Sequence, residues 1–156
     1  MEDTYGDTVQ MSEQTYDLTS TEFVNQEKQK ELIEAKADLI LFEPLTLKDN
    51  GQVAIDDSHA HISTIIQDVT DANEQTTFVI QPPHPLYNAT YYPLQVEALK
   101  QYATDNNILY LDHWNSWSDQ TSDETKALLT EDNELPNKDG YKLWRTYLED
   151  FFITHP

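Results

Sequence analysis

A three-layer α/β/α sandwich around a parallel sheet is the fold this sequence predicts, and two observations carry the prediction. Short apolar runs at residues 37–42, 76–80 and 108–111 are rich in aliphatic and aromatic side chains, as strands buried on both faces are. Between them lie longer segments whose apolar residues recur at helical spacing, and this tight alternation implies right-handed crossovers that place helices on the sheet faces. A chain of 156 residues has room for one core, so residues 1–156 are read as a single domain, with 1–17 as a weakly structured or edge segment.

Each element has its own signal. Within the first seventeen residues only 8–12 shows strand alternation, through Val9 and Met11. Thr19 or Ser20 is a candidate cap for a helix running to about Ala35, with Glu22 as the capping-box partner of Thr19 and with Phe23, Leu32 and Ile33 as its anchors. Residues 37–42 read as a buried parallel strand. Residues 58–73 place Ile62, Ile65, Ile66 and Val69 on one helical face. The strand at 76–80 stops at Pro82-Pro83, because proline cannot donate to a central ladder. Residues 93–106 form a helix with Val96, Leu99 and Ala103 inward, and 108–111 form the next strand. Asn137 caps a last helix through Phe152, in which Tyr141, Trp144, Leu148 and Phe151 recur on one face.

Composition excludes several classes of function. There are 29 acidic residues against 9 basic ones, a net charge of −20, which repels phosphate backbones and anionic membrane surfaces. Nucleic acid is therefore not an expected partner. Cysteine is absent, which removes thiol nucleophiles, disulfides and thiolate metal sites. No apolar run approaches the ~20 residues of a membrane span, so direct membrane insertion is not expected. An extracellular or cell-surface location fits the acidity and the lack of cysteine, and a cytoplasmic one is compatible with both.

In an open parallel sheet, ligands bind beyond the carboxyl ends of the strands, here residues 43–51, 81–92 and 112–118. Gln81-Pro82-Pro83-His84-Pro85-Leu86-Tyr87-Asn88 is the most informative stretch, since prolines on both sides of His84 fix the direction of an imidazole able to act as a general base. Its plain reading is a proline-rich turn with an exposed histidine. Glu43, Thr46, Lys48 and Asn50 leave the preceding strand toward the same crevice as pocket groups, beside an Asp49-Asn50-Gly51 turn signal. Trp114 and Trp117 could form a sugar-stacking platform, or could pack their loop onto the sheet. Asn88 extends the polar set. His59 and His61 point about 200° apart on a helix and cannot share an ion there, so neither a metal nor a cofactor is expected.

These landmarks, in this order, resemble the SGNH (GDSL-type) hydrolases. Asp38-Leu39-Ile40-Leu41-Phe42 followed by Thr46-Leu47-Lys48-Asp49 is similar to the family's strand and Gly-x-Asn-Asp block. Asp132-Asn133-Glu134-Leu135-Pro136-Asn137-Lys138-Asp139-Gly140-Tyr141 is similar to its terminal Asp-x-x-His-Pro-Asn-x-x-Gly-Tyr block. The segment 18–23 resembles the region of the second oxyanion donor, without its glycine. The resemblance spans roughly residues 16–153 and implies a flavodoxin-like domain that cleaves acyl esters of small molecules, lipids or carbohydrates. It departs at three points. The Gly-Asp-Ser strand that carries the nucleophile is missing, since no apolar strand precedes Gly6-Asp7-Thr8. Lys48 replaces the oxyanion asparagine, and Leu135 replaces the terminal histidine. The resemblance thus implies either a domain whose first strand and serine lie outside this chain, with His84 as substitute base and Asp132 as its orienting acid, or a non-catalytic module that binds a glycan or envelope polymer. In either case this chain alone is expected to have little or no esterase activity.

Overall fold

The computed structural model describes residues 9–154. Three parallel strands, β1 (Leu39–Phe42), β2 (Thr77–Ile80) and β3 (Leu109–Tyr110), form one sheet in the order β1-β2-β3. The helices are α1 (Ser20–Asn25), α2 (Gln29–Ala35), α3 (Thr46–Asp49), α4 (Ile55–Ala72), α5 (Tyr92–Asp105), α6 (Asp123–Lys126) and α7 (Lys138–Thr154), with a 3-10 turn at His113–Ser116. The α/β architecture with a parallel sheet is the predicted one.

Strand register decides which side chains meet. Leu39 pairs with Thr77 and Phe42 with Ile80, while Val79 and Ile80 pair with Leu109 and Tyr110. Alternation along each strand therefore sends Ile40, Phe42, Phe78, Ile80 and Tyr110 to one face. There they meet Ile62, Ile65 and Val69 of α4 and Leu99 and Ala103 of α5, the main core. The rings of Phe42 and Phe78 pack edge to face at 5.9 Å. Both crossover helices thus cover the same face, and α1 and α2 pack against α4.

The second face, carrying Leu39, Leu41, Val79 and Leu109, is covered incompletely. Val79 is buried, but Leu39 is 45% and Leu109 54% exposed. This corrects the reading of residues 37–42 as a fully buried strand: β1 lies at the sheet edge. On α7, Tyr141 is likewise exposed, and Trp144, Leu148 and Phe151 are only half-buried.

The helix predicted from Thr19 to Ala35 is two helices. Its start is as read, with a complete capping box between Thr19 and Glu22. It ends early because Glu27 adopts φ 54°, while the Glu27 and Lys28 amides bond back to the carbonyls of Val24 and Phe23, both at 3.0 Å. These two bonds make a Schellman motif built without glycine. Asn137 caps α7 as predicted, its Oδ1 accepting the amides of Asp139 (2.9 Å) and Gly140 (3.1 Å). Of the strand candidate at 8–12, Thr8 lies outside the described residues, as does Gly6-Asp7-Thr8; residues 9–12 are exposed and form no strand. No helix among the described residues is long and apolar enough to cross a membrane.

Candidate functional site

The proline loop after β2 is buried from Gln81 to Pro85, which corrects its picture as an exposed turn. Proline offers no N–H, so the polar need of this loop is its carbonyls. Aromatic side chains meet it. His113 Nε2 reaches Pro82 O at 2.8 Å, Trp114 Nε1 donates to Pro83 O at 2.7 Å, and the Tyr92 hydroxyl lies 3.4 Å from His84 O. A carbonyl only accepts, so Nε2 of His113 carries the proton, and its Nδ1 accepts the indole N–H of Trp117 at 3.2 Å. Both nitrogens are spent, and the ring stacks on Trp144 at 4.4 Å. Burial pushes the His113 pKa down to about 4. Trp117 is buried in this arrangement, so it forms no platform with Trp114.

His84 is also buried, and its Nε2 meets Glu134 O at 2.9 Å. The same logic puts the proton on Nε2 and the lone pair on Nδ1. Burial holds its pKa low, so the ring is neutral at pH 7. Asp132 is exposed and does not grip the imidazole directly. Its carboxylate accepts the Thr130 hydroxyl at 2.5 Å and the Glu134 amide at 3.1 Å, and the Thr130 bond leads in lowering its pKa. Asp132 and His84 bind the same residue's backbone, Asp132 the N–H of Glu134 and His84 its C=O.

Glu43 follows the last residue of β1. Its side chain is exposed at the surface, yet the protein packed around it removes enough water to push its carboxyl up to about 7. Burial, and then the charge of Glu43, raise the phenol of the fully buried Tyr92, whose hydroxyl points at His84 O. Glu43, Tyr92 and His84 thus stand together at the ends of β1 and β2.

The remaining predicted pocket groups are placed less favourably. Thr46 is buried with its hydroxyl bonded to Pro44 O, and Lys48 is exposed and ion-paired with Asp17. Asn50 ends α3, its amide donating to Thr46 O at 3.1 Å. Asn88 sits exposed in the left-handed region at φ 57°, which asparagine tolerates in turns. Trp114 is half-buried and lines an open recess of about 270 Å³ together with Lys100, Tyr110, Asp112 and Asn115.

The sequence reading passed over one cluster. Asp49, 1% exposed, accepts the Ser20 amide at 2.7 Å and the Ser58 hydroxyl at 2.5 Å, while Ser20 Oγ lies 3.0 Å from His61 Nδ1. The cluster ties the start of α1 to α3 and α4. Ser20 is only 2% exposed, so the serine–histidine pair is closed to substrate. The one signal available was Asp49 closing the block similar to Gly-x-Asn-Asp. His59 packs on Tyr102 at 4.8 Å, away from His61. Among the described residues, no three His, Asp or Glu side chains gather as a metal site.

No family model matches the chain, and neither does any curated protein. A solved structure from Desulfitobacterium hafniense DCB-2, assigned to the G-D-S-L lipolytic family, superposes with a TM-score of 0.66 over 84% of this chain and 74% of that one, at 20% identity. The fold is GDSL-like. Glu43 and His84 follow β1 and β2, at the strand ends where a parallel sheet binds ligands.

Proposed function

We propose that this chain carries part of an ester-hydrolase site whose nucleophile lies outside it. The observation that carries the proposal is placement: Glu43 and His84 leave the carboxyl ends of two paired parallel strands, and desolvation pushes the Glu43 carboxyl up to about 7. Such a group takes a proton from an attacking hydroxyl and returns it to a leaving alcohol at neutral pH. His84, neutral with its Nδ1 lone pair, serves as the second base, with Asp132 acting on it through Glu134. The GDSL-like fold supports an acyl ester of a small molecule, lipid or carbohydrate as the ligand class.

Ethyl butyrate titrated into the labelled protein should shift the Glu43 carboxyl and His84 ring resonances, and Glu43→Gln should weaken the effect several-fold. Hydrolysis of p-nitrophenyl butyrate by the same protein should stay at the buffer rate. Absence of both shifts would defeat the hydrolase reading. Turnover above buffer would place a nucleophile inside the chain.

The recess beside Trp114 favours a second reading, a glycan-binding module. An indole, the Lys100–Asp112 pair at 2.7 Å and the Asn115 amide offer the stacking and planar hydrogen bonding that sugars use. Trp117, being buried, adds nothing to it.

A further inference from the structure

We infer that the recess at the end of β3 binds an acetamido sugar, its N-acetyl group against Tyr110 and Asp112 and its ring against Trp114. The inference rests on the glycan-binding reading of this recess and needs nothing from the ester-hydrolase one. At about 270 Å³ the recess lies just below the ~300–1,000 Å³ of drug-sized pockets, so it suits one sugar ring with a small substituent. Its walls come from α5, β3 and the turn after β3. The Tyr110 hydroxyl decides the chemistry. It is buried, and among the described residues it has no hydrogen-bond partner. Buried polar groups are nearly always paired, so an orphan beside a recess calls for an atom that the free protein does not supply. Burial first, and then the charges of Asp112 and Glu97, raise its pKa, so the phenol keeps its proton and donates. A carboxylate or phosphate arriving there would also meet Asp112 and Glu97, whereas an uncharged carbonyl would not be repelled.

Asp112 supplies the complementary half. Its Oδ2 holds the Lys100 ammonium at 2.7 Å, which fixes the carboxylate and leaves Oδ1 to accept an N–H. One donor and one acceptor match the carbonyl and the N–H of a secondary amide, and buried Val96 adds an apolar wall for its methyl group. Trp114 makes a pyranose the better bearer of that amide. Its indole N–H donates to Pro83 O at 2.7 Å, which fixes the ring plane on the recess wall. A fixed aromatic face meets the C–H face of a sugar at little entropic cost. The Tyr110 hydroxyl is closed to bulk water, but Glu97 and Lys100 beside it are exposed side chains. Such side chains change rotamer within nanoseconds, so a ring can reach the hydroxyl without backbone movement.

The test titrates the labelled full chain with the methyl glycosides of N-acetylglucosamine, glucose and glucosamine. The indole N–H resonance of Trp114 should shift saturably with the N-acetyl sugar, at a dissociation constant about ten-fold below that of the glucoside. The glucosamine glycoside, with an ammonium in place of the amide, should bind no better than the glucoside. Tyr110→Phe removes only a hydroxyl that has no protein partner. The thermal midpoint should therefore hold or rise, while the ten-fold preference falls to about two-fold. Equal binding of the N-acetyl sugar and the glucoside, tighter binding of the glucosamine glycoside, or a preference that survives Tyr110→Phe would each overturn the inference and leave the glycan-binding reading standing. A midpoint lowered by Tyr110→Phe would show that the hydroxyl is already partnered, and would overturn it as well. If none of the three sugars binds, the glycan-binding reading falls with it.

Discussion

His113 and Glu43 sit in the same ring of loops, and one cause shifts them in opposite directions. Loss of water disfavours charge, so it lowers the imidazole and raises the carboxyl. For His113 the folded pKa of about 4 lies below the ordinary value, so the unfolded chain takes up the proton first. Its contribution is complete above pH ~6.5 and is lost as pH falls toward 4, about 3 kcal/mol for a fully buried ring. Urea unfolding at pH 7 and 4.5 should show this loss, and His113→Asn should flatten the slope while lowering stability at both. An unchanged slope would put the acid sensitivity elsewhere. Glu43 runs the other way, favouring the fold below ~4.5 and losing that as pH rises through 7. Little of this was legible in the sequence. The position of Glu43 was, because it follows a strand. Its perturbed carboxyl was not, because desolvation is a property of neighbours that arrive from other elements. The role of His113 was not legible either, because the carbonyl it binds, that of Pro82, lies 31 residues away.

Elements were more legible where their signals are local. The Thr19–Glu22 capping box and the Asn137 cap were readable as residue types at fixed spacing, and both are present. The break after Asn25 was not, because its Schellman motif uses Glu27 in a conformation that glycine normally announces. The Pro136-Asn137-x-x-Gly140 pattern has a structural reason of its own. Asn137 Nδ2 donates to the carbonyls of Ala127 (2.7 Å) and Leu129 (2.9 Å), pinning the start of α7 to the chain after α6. A Cβ at Gly140 would lie 2.3 Å from Leu128 O and 3.2 Å from Trp117 Cη2. Backbone cannot yield as a side chain does, so Gly140→Ala should destabilise by about 1–3 kcal/mol, even though alanine favours helix by up to ~1 kcal/mol. Lys142→Ala, an exposed change on the same helix, should stay within about 0.5 kcal/mol. Denaturant midpoints of the two variants compare them directly, and a neutral Gly140→Ala would mean that the loop moves aside freely.

Across the whole molecule, the question is whether charge helps or hinders the fold. The ion pairs among the described residues, Lys28–Glu31, Lys30–Glu27, Lys48–Asp17, Lys100–Asp112 and Arg145–Glu149, join side chains that are mostly solvent-exposed. Each such pair contributes about 0–1 kcal/mol. Against them stands the repulsion of 29 acids facing 9 bases, which acts over the whole surface and opposes the compact state. At about 10 mM salt the screening length is ~30 Å, comparable to the domain itself, and near 0.15 M it is ~8 Å. Salt over this range should therefore remove long-range repulsion faster than it weakens contact pairs. A relief of about 1–2 kcal/mol would appear in thermal melts as a Tm rise of about 3–6 °C. A fall in Tm would mean that the few local pairs outweigh the net charge. The same balance bears on the open edge of β1. If repulsion keeps copies of the chain apart, salt should bring this apolar strand closer to self-pairing as it stabilises the monomer, so sedimentation at both salt concentrations would separate the two effects.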